Sequence, residues 1–600
     1  MYLSPFSLLT LLNLASSHAY GAVIPQRKSP YLPVPFQLGR RVTAGAYTIT
    51  ADDSNQTQRL EAINATRAGF LYGPAVGGGP FYPAGPVGNL TASEDSAALD
   101  ADEEAEDFGD LSTLESYVQL YDNEWTHSLP NGPAPGILTN YTQDLVFSME
   151  RLANSPFAVR RLNPSSDSLP FQVEDSIAQN VSGLTLESLF SAGRLFYVDH
   201  TDIGTLPTNG RYTAATDAYF VIDATSGDFL PLAIRTGVGA DLIYTPTDKA
   251  DDWLLAKIMF NANDLFFAQF NHLAATHMVV QITWMAAIRS LSTEHPVYAI
   301  FDRLAYETFG IQPIAAAMLF APGAAIDEIF PVSGTTAQNY ASDLYFNGKG
   351  NFQANYFLTD LQNRGLINST IGPELTHFPF YEDAAVIYNA VETFMTTFVD
   401  SYYTTDSAVA ADTELQNWAE EANGPAEAMG FPTTISDKAT LKDQNKTESM
   451  LISLINTQAH LVTSAHHSVN TNQLESLSLT LPFHPAALYA PIPTTKGNTS
   501  VVSFLPPFEQ SDAQIFVSAG FSRPLLAGTN RSLLHMFDDE SMLNLMNEET
   551  AEAAATFKST MQAFSDVVAA RTFDAEGLCQ GMPFVWQALD PNVAPYSSAI

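Results

Sequence analysis

The chain has 600 residues, 46% of them hydrophobic, and carries 26 basic against 65 acidic side chains for a formal net charge of −39. Such a surface repels phosphate backbones and anionic lipid headgroups, which excludes nucleic-acid binding and electrostatic docking on an anionic membrane. One cysteine, Cys579, excludes an intrachain disulfide and any thiolate metal cluster, so stability rests on the size of the core.

Residues 1–19 read as a secretory signal. An apolar run from Phe6 to Ala15 is followed by small residues at Ser17 and Ala19, and the run is too short to span a bilayer. A buried first helix is the alternative. Nine Asn-x-Ser/Thr sequons, at Asn55, Asn64, Asn89, Asn140, Asn180, Asn368, Asn445, Asn498 and Asn530, fit an extracellular glycoprotein, and each must face solvent if it is used. Residues 20–110 read as an irregular leader. Pro and Gly punctuate YGPAVGGGPFYPAGPVG, and like charges repel within SEDSAALDADEEAED.

Helical periodicity begins near Leu111 and continues through LTNYTQDLVFSMERLAN. Between Gly193 and Thr247 short β-branched and aromatic runs alternate with Gly, Asp and Pro, and TSGD predicts a hairpin turn, so a small antiparallel sheet is expected there. From Trp253 to Pro296 the chain predicts one long, apolar, largely buried helix, with no Gly and its only Pro at the end. Breaks follow at Pro313 and Pro322-Gly323. Helices are predicted over 380–403, 407–421, about 450–473 and, as a pair, about 538–570, with a polar loop over 426–447. The last 20 residues must run inward if the terminal carboxylate is to be used.

The histidines give this framework its chemistry. His272 and His277 interrupt the apolar face of the long helix, and His466 and Asn470 stand four apart on the later one. Residues i and i+4 share a face of a regular helix. Residues i and i+5 point roughly 140° apart on one, so His272 and His277 can serve one ion only across a π-bulge or widened turn. Satisfied core histidines are the alternative. Three imidazoles, the Asn470 amide oxygen and the Ile600 carboxylate would form a nitrogen/oxygen site with one open position, of the kind a redox metal uses. His467 is the neighbouring candidate should the second pair be one residue out of register.

HLAATH at 272–277 with Arg289, Leu291 and His295-Pro296 resembles the metal-binding helix of lipoxygenases, and HHSVN at 466–470 resembles the family's second ligand helix. RLFYVDHTD at 194–202, FPFYEDAAVIYNAVETFM at 378–395, VAADTELQNWAEE at 409–421 and the terminal YSSAI resemble further family segments, and FHPAALYAPIPTTKG at 483–497 resembles the fungal branch. A length of 600 residues allows several domains. The resemblance implies one instead: a mainly α, single large lipoxygenase-like catalytic domain over 111–600 with a small antiparallel β insertion, and without the family's N-terminal β-barrel lipid-binding module.

The resemblance also implies an activity. A metal(III)-hydroxide would take a hydrogen atom from the cis,cis-pentadiene of linoleic or linolenic acid, and O2 would add to give a hydroperoxide. One non-haem ion is implied, manganese in preference to iron, since secreted fungal relatives use manganese, although the five-residue step from His272 to His277 resembles the iron enzymes. Gln281, one turn past His277, is a candidate hydrogen-bond partner of the inner ligands. Gly323 and Ala324 are candidates for the small residue that opens space for oxygen, and Phe330, Phe504 and Phe508 for an apolar substrate channel, with ordinary packing as the alternative. Expected partners are the fatty acid and O2, with no nucleic acid, no transmembrane anchor and a monomeric chain. A hydroperoxide isomerase on the same fold, or a secreted glycoprotein without catalysis, are the competing readings. A hydrolase is unsupported: no Gly-x-Ser-x-Gly elbow and no HExxH occur.

Overall fold

The computed structural model describes residues 46–70, 111–120, 140–237, 242–306, 308, 315–439, 450–470, 481–497, 500–520 and 528–598, with only the backbone of Asn470, Ala519 and Gly520. The 1–19 segment, most of the acidic leader, and Ile600 lie outside the described residues.

One part of the leader departs from the irregular reading. Gln56–Gly69 is a helix (α1), started by the Asn55 side chain accepting from the Gln58 N–H. Its apolar periodicity is weak because it is attached by charge. Arg59 pairs with buried Glu414, and Arg67 donates to the Arg289 carbonyl at 3.1 Å while Arg289 donates back to the Arg67 carbonyl at 2.9 Å. Charge-assisted bonds of this sort hold a helix whose faces are mostly wet.

Short helices Leu114–Gln119 (α2) and Asp144–Met149 (α3) lead into a five-stranded sheet. Its strands are Arg160–Arg161 (β1), Leu195–Asp199 (β2), Thr216–Ile222 (β3), Phe229–Thr236 (β4) and Leu242–Tyr244 (β5), all antiparallel in the order β1-β2-β3-β4-β5. The helices Asp175–Ser182 (α4) and Leu186–Ser191 (α5) lie in the connection between β1 and β2. The predicted TSGD turn closes β3 onto β4. The Asp223 carboxylate accepts from the Thr225 and Ser226 N–H groups, and Gly227 takes φ 80°. Strand alternation sorts side chains between two cores: Phe196, Ala218, Phe220 and Ile234 face the main one, Tyr197, Tyr219 and Val221 a smaller one with α4 and α5.

The long helix predicted from Trp253 runs as Ala250–His272 (α6), a π-helical segment Leu273–Met278, and Val279–Ser290 (α7). Nearly every side chain of α6 is buried, so its polar ones must find partners. Asn263 accepts from the Thr216 N–H at 3.0 Å and donates to Thr213, which ties α6 to β3. Lys257 donates to Asp144 at 2.8 Å.

Pro296–Leu304 (α8) follows, capped by the His295 side chain. A turn at Pro322-Gly323, with Gly323 at φ 76°, separates a π segment Ala316–Phe320 from Ala325–Ile329 (α9). Gly334–Leu344 (α10) and Phe357–Asn363 (α11) come next. Pro379–Tyr402 (α12) matches the predicted 380–403 helix. The single helix expected over 407–421 is two, Asp406–Ala411 (α13) and Thr413–Asn423 (α14), because the Asp412 side chain caps the second by accepting from the Glu414 and Leu415 N–H groups. Leu451–His460 (α15), a π segment Leu461–Ala465, and His466–Asn470 (α16) form the helix that carries His466, and Phe508–Gly520 (α17) follows. The pair expected over 538–570 is one helix, Glu548–Ala569 (α18). The residues before it form short 3-10 turns, and Asn547 caps it.

The last described residues do run inward. Leu533 donates to the Ala594 carbonyl at 2.8 Å, and Tyr596, Ser597 and Ser598 are buried. Among the described residues no single helix is long and apolar enough to cross a membrane. Ala316–Ile329 and Gly334–Lys349 reach that length and composition only as a pair bent by 100°.

Candidate metal centre

The π segment Leu273–Met278 answers the spacing problem posed by His272 and His277. Its i→i+5 hydrogen bonding places the fifth residue one turn above the first, on the same side. The two rings lie 5.3 Å apart between centroids, and His466 from the second ligand helix completes the group at 5.4 Å from His272 and 4.5 Å from His277. One nitrogen from each of the three falls within 4.8 Å of the others, a grouping that could hold one metal ion. His466 Nε2 and His277 Nε2 are 2.7 Å apart, as two neighbouring ligands of one ion would be.

His272 and His277 are held neutral. Burial pushes His272 down to about 4, against the pull of the Gln269 and Ala268 carbonyls, and pushes His277 down to about 3, helped by neighbouring His272. Neutral rings offer lone pairs, which a cation needs. The donor set therefore fits a nitrogen-binding transition metal.

Of the other sequence-derived candidates, Asn470 continues the helix that starts at His466, one turn on. Gln281 is buried on α7, one turn past His277. Gly323 sits on an exposed turn where an added Cβ would meet nothing within 4 Å, so it does not line a buried space. Ala324 is buried beside it. Phe330 packs edge-on against Phe266 and Phe270, at 5.8 and 5.7 Å, and Phe270 is two residues from His272. Phe504 belongs to the main core and Phe508 lies half-buried against it.

Three features escaped sequence reasoning. Gln458, on α15, donates to the Val280 carbonyl and accepts from Thr283, joining the two histidine-bearing helices directly. Asn209 and Arg211 fix the turn that carries Phe330. Arg211 donates to the Asp327 and Phe330 carbonyls at 2.8 Å each, and Asn209 to the Phe330 carbonyl at 3.1 Å. The third is a buried ionic cluster behind α6. Arg151 donates to Asp264 at 3.0 Å, and His200 Nε2 lies 2.8 Å from the other Asp264 oxygen. No local motif announces it, since its members come from three distant segments.

Glu150 belongs to the same cluster and is fully buried. Burial, with Asp264 adding repulsion against the attraction of Arg151, raises its carboxyl from 4.5 to about 8. A carboxyl whose folded value is raised favours folding fully below about 4.5, and that contribution is lost as pH rises toward 8. Glu150→Gln should therefore melt close to the parent at pH 4.5 and above it at pH 8.5. A parent that gains on the variant as pH rises would contradict this.

A lipoxygenase family model matches residues 162–569, more than half of the chain. A manganese lipoxygenase of Colletotrichum gloeosporioides is 42% identical over 569 residues, 92% of each chain. The chain belongs to the lipoxygenase family. A second manganese lipoxygenase, from Nakataea oryzae, is 41% identical over 98% of this chain and 96% of its own. A solved manganese lipoxygenase superposes with a TM-score of 0.84 at 38% identity, covering 92% of this chain and all of that one. A calcium-dependent 11R-lipoxygenase shares the fold alone, with a TM-score of 0.75 at 21% identity. The chain is thus a lipoxygenase-type fatty acid dioxygenase with the helical catalytic fold and its small sheet.

Proposed function

We propose that this lipoxygenase is a secreted, monomeric enzyme that inserts O2 into linoleic or linolenic acid. Its single non-haem ion is manganese in preference to iron, held by His272, His277, His466, the Asn470 side chain and the Ile600 carboxylate. The observation that carries this reading is the gathering of three imidazoles from two helices, two of them fully buried and one half-buried, each reaching its place through or beside a π segment. Relatives named manganese lipoxygenases at about 40% identity support the choice of metal.

When bound, the metal supplies one-electron redox chemistry for removing a hydrogen atom from the pentadiene and for returning the electron after oxygen has added. The protein contributes position and dryness. The two ligand helices, tied by Gln458, hold the imidazoles rigidly. The aromatic group of Phe266, Phe270, Phe330 and Tyr340 beside His272 provides apolar walls for a hydrocarbon chain and keeps water from the radical. Secretion is supported by Asn55, Asn64, Asn180, Asn368 and Asn530, which are all exposed sequon positions; Asn140 is half-buried, and Asn89, Asn445 and Asn498 lie outside the described residues.

Purified protein incubated with linoleic acid should produce conjugated-diene absorbance and contain about one manganese per chain. Absence of the diene product overturns the activity, and stoichiometric iron without manganese overturns the metal.

A further inference from the structure

We propose that His467 is a positioning residue: it sets the tautomer and ring orientation of His466, and takes its own tautomer from the carboxy-terminal segment. The inference rests on the metal-site reading above and goes beyond it by assigning His467 and Ser597.

His467 is fully buried, with its ring edge-on to the His466 ring at 4.5 Å between centroids. Its Nε2 lies 2.9 Å from the Ser597 carbonyl oxygen, and its Nδ1 lies 3.1 Å from His466 Nδ1. A carbonyl oxygen can only accept, so the hydrogen of neutral His467 sits on Nε2 and its Nδ1 is a bare acceptor. The hydrogen between the two rings then belongs to His466 Nδ1. That leaves His466 Nε2 as the ring nitrogen without a hydrogen, 2.7 Å from His277 Nε2. This is the tautomer a cation requires. An imidazole ligand whose other nitrogen donates to a fixed acceptor is the usual way of orienting such a ring. Here the acceptor is a second histidine, itself oriented by main chain from residue 597. Ser597 and Ser598 are both buried, so solvent does not compete for these bonds.

The test measures Mn(II) binding to metal-stripped protein and the melting temperature of that metal-free form. His467→Ala leaves His466 Nδ1–H without this acceptor and should weaken Mn(II) affinity about 10–100-fold. His467→Gln should recover much of the loss, because its amide can donate to the Ser597 carbonyl and accept from His466. A role confined to packing would lower the metal-free melting temperature and leave affinity unchanged. Parental Mn(II) affinity in His467→Ala overturns the relay, as does a His467→Gln variant that folds normally yet binds no better than His467→Ala. Parent protein that takes up no manganese overturns the metal-site reading and the relay together, which separates the two failures.

Discussion

His272→Ala is expected to emerge folded, without its metal, and with conjugated-diene formation from linoleate below detection. The reason is geometric. Three nitrogens within 4.8 Å define the proposed site, and each is delivered by well-packed backbone: α6 is buried almost throughout, and the adjoining π segment is packed against the one that precedes His466. Loss of one imidazole leaves two bare lone pairs and a small apolar gap. Disturbing an outer partner of a ligand costs about 10–100-fold in metal affinity or activity, so removal of a ligand should exceed that range. Circular dichroism, elemental analysis and the diene assay on the same sample check the result. Metal content and turnover near the parent's would refute the assignment of His272. A variant lacking Ile600 isolates the carboxylate: full activity there would remove it from the ligand set while leaving the imidazoles in place.

The second large effect is on stability. Arg151→Met should cost about 3–5 kcal/mol at neutral pH, the range for breaking a buried ion pair by removing one partner. Arg151 is wholly buried between the Phe147 and Phe260 rings, with its guanidinium 4.7 and 4.9 Å from their centroids, and it bonds Asp264 and Asn261. Burial alone would raise the Asp264 carboxyl; Arg151 and His200 overcome it and hold the group down near 2. A depressed carboxyl stabilises the fold above its ordinary value of 3.8, and that gain is lost as pH falls toward 2. The deficit of Arg151→Met should therefore be largest at neutral pH and shrink toward pH 3, where Asp264 can protonate. Denaturant midpoints at pH 7 and pH 3.5 test both parts. Replacing Asp264 by leucine in the same chain should restore part of the loss, because the uncompensated charge goes with it. A deficit below about 1 kcal/mol, the level of an exposed pair, would show that the cluster contributes little.

What the sequence disclosed follows from how local the physics is. The His272–His277 step implies a helix defect because angular spacing along one helix is a local quantity, and the π segment lies where that step demands it. The small sheet was equally legible, since alternation and turn chemistry are carried by neighbouring residues. The helix at 56–69 was not, because Arg59 and Arg67 hold it through partners more than 200 residues away instead of through an apolar stripe. The cluster of Arg151, His200 and Asp264 was hidden for the same reason. Asp412, which splits the helix expected over 407–421, was readable in principle: Asp followed by Thr-Glu-Leu is an N-cap signature.

The widened turn between His272 and His277 has a consequence for relatives of this chain. Deleting any one residue from 273–276 would shorten the step to four and let the π segment return to regular α geometry, where residues four apart already share a face. Both spellings of the segment would present two rings to the same ion. The number of residues between these histidines therefore does not by itself say which element is bound.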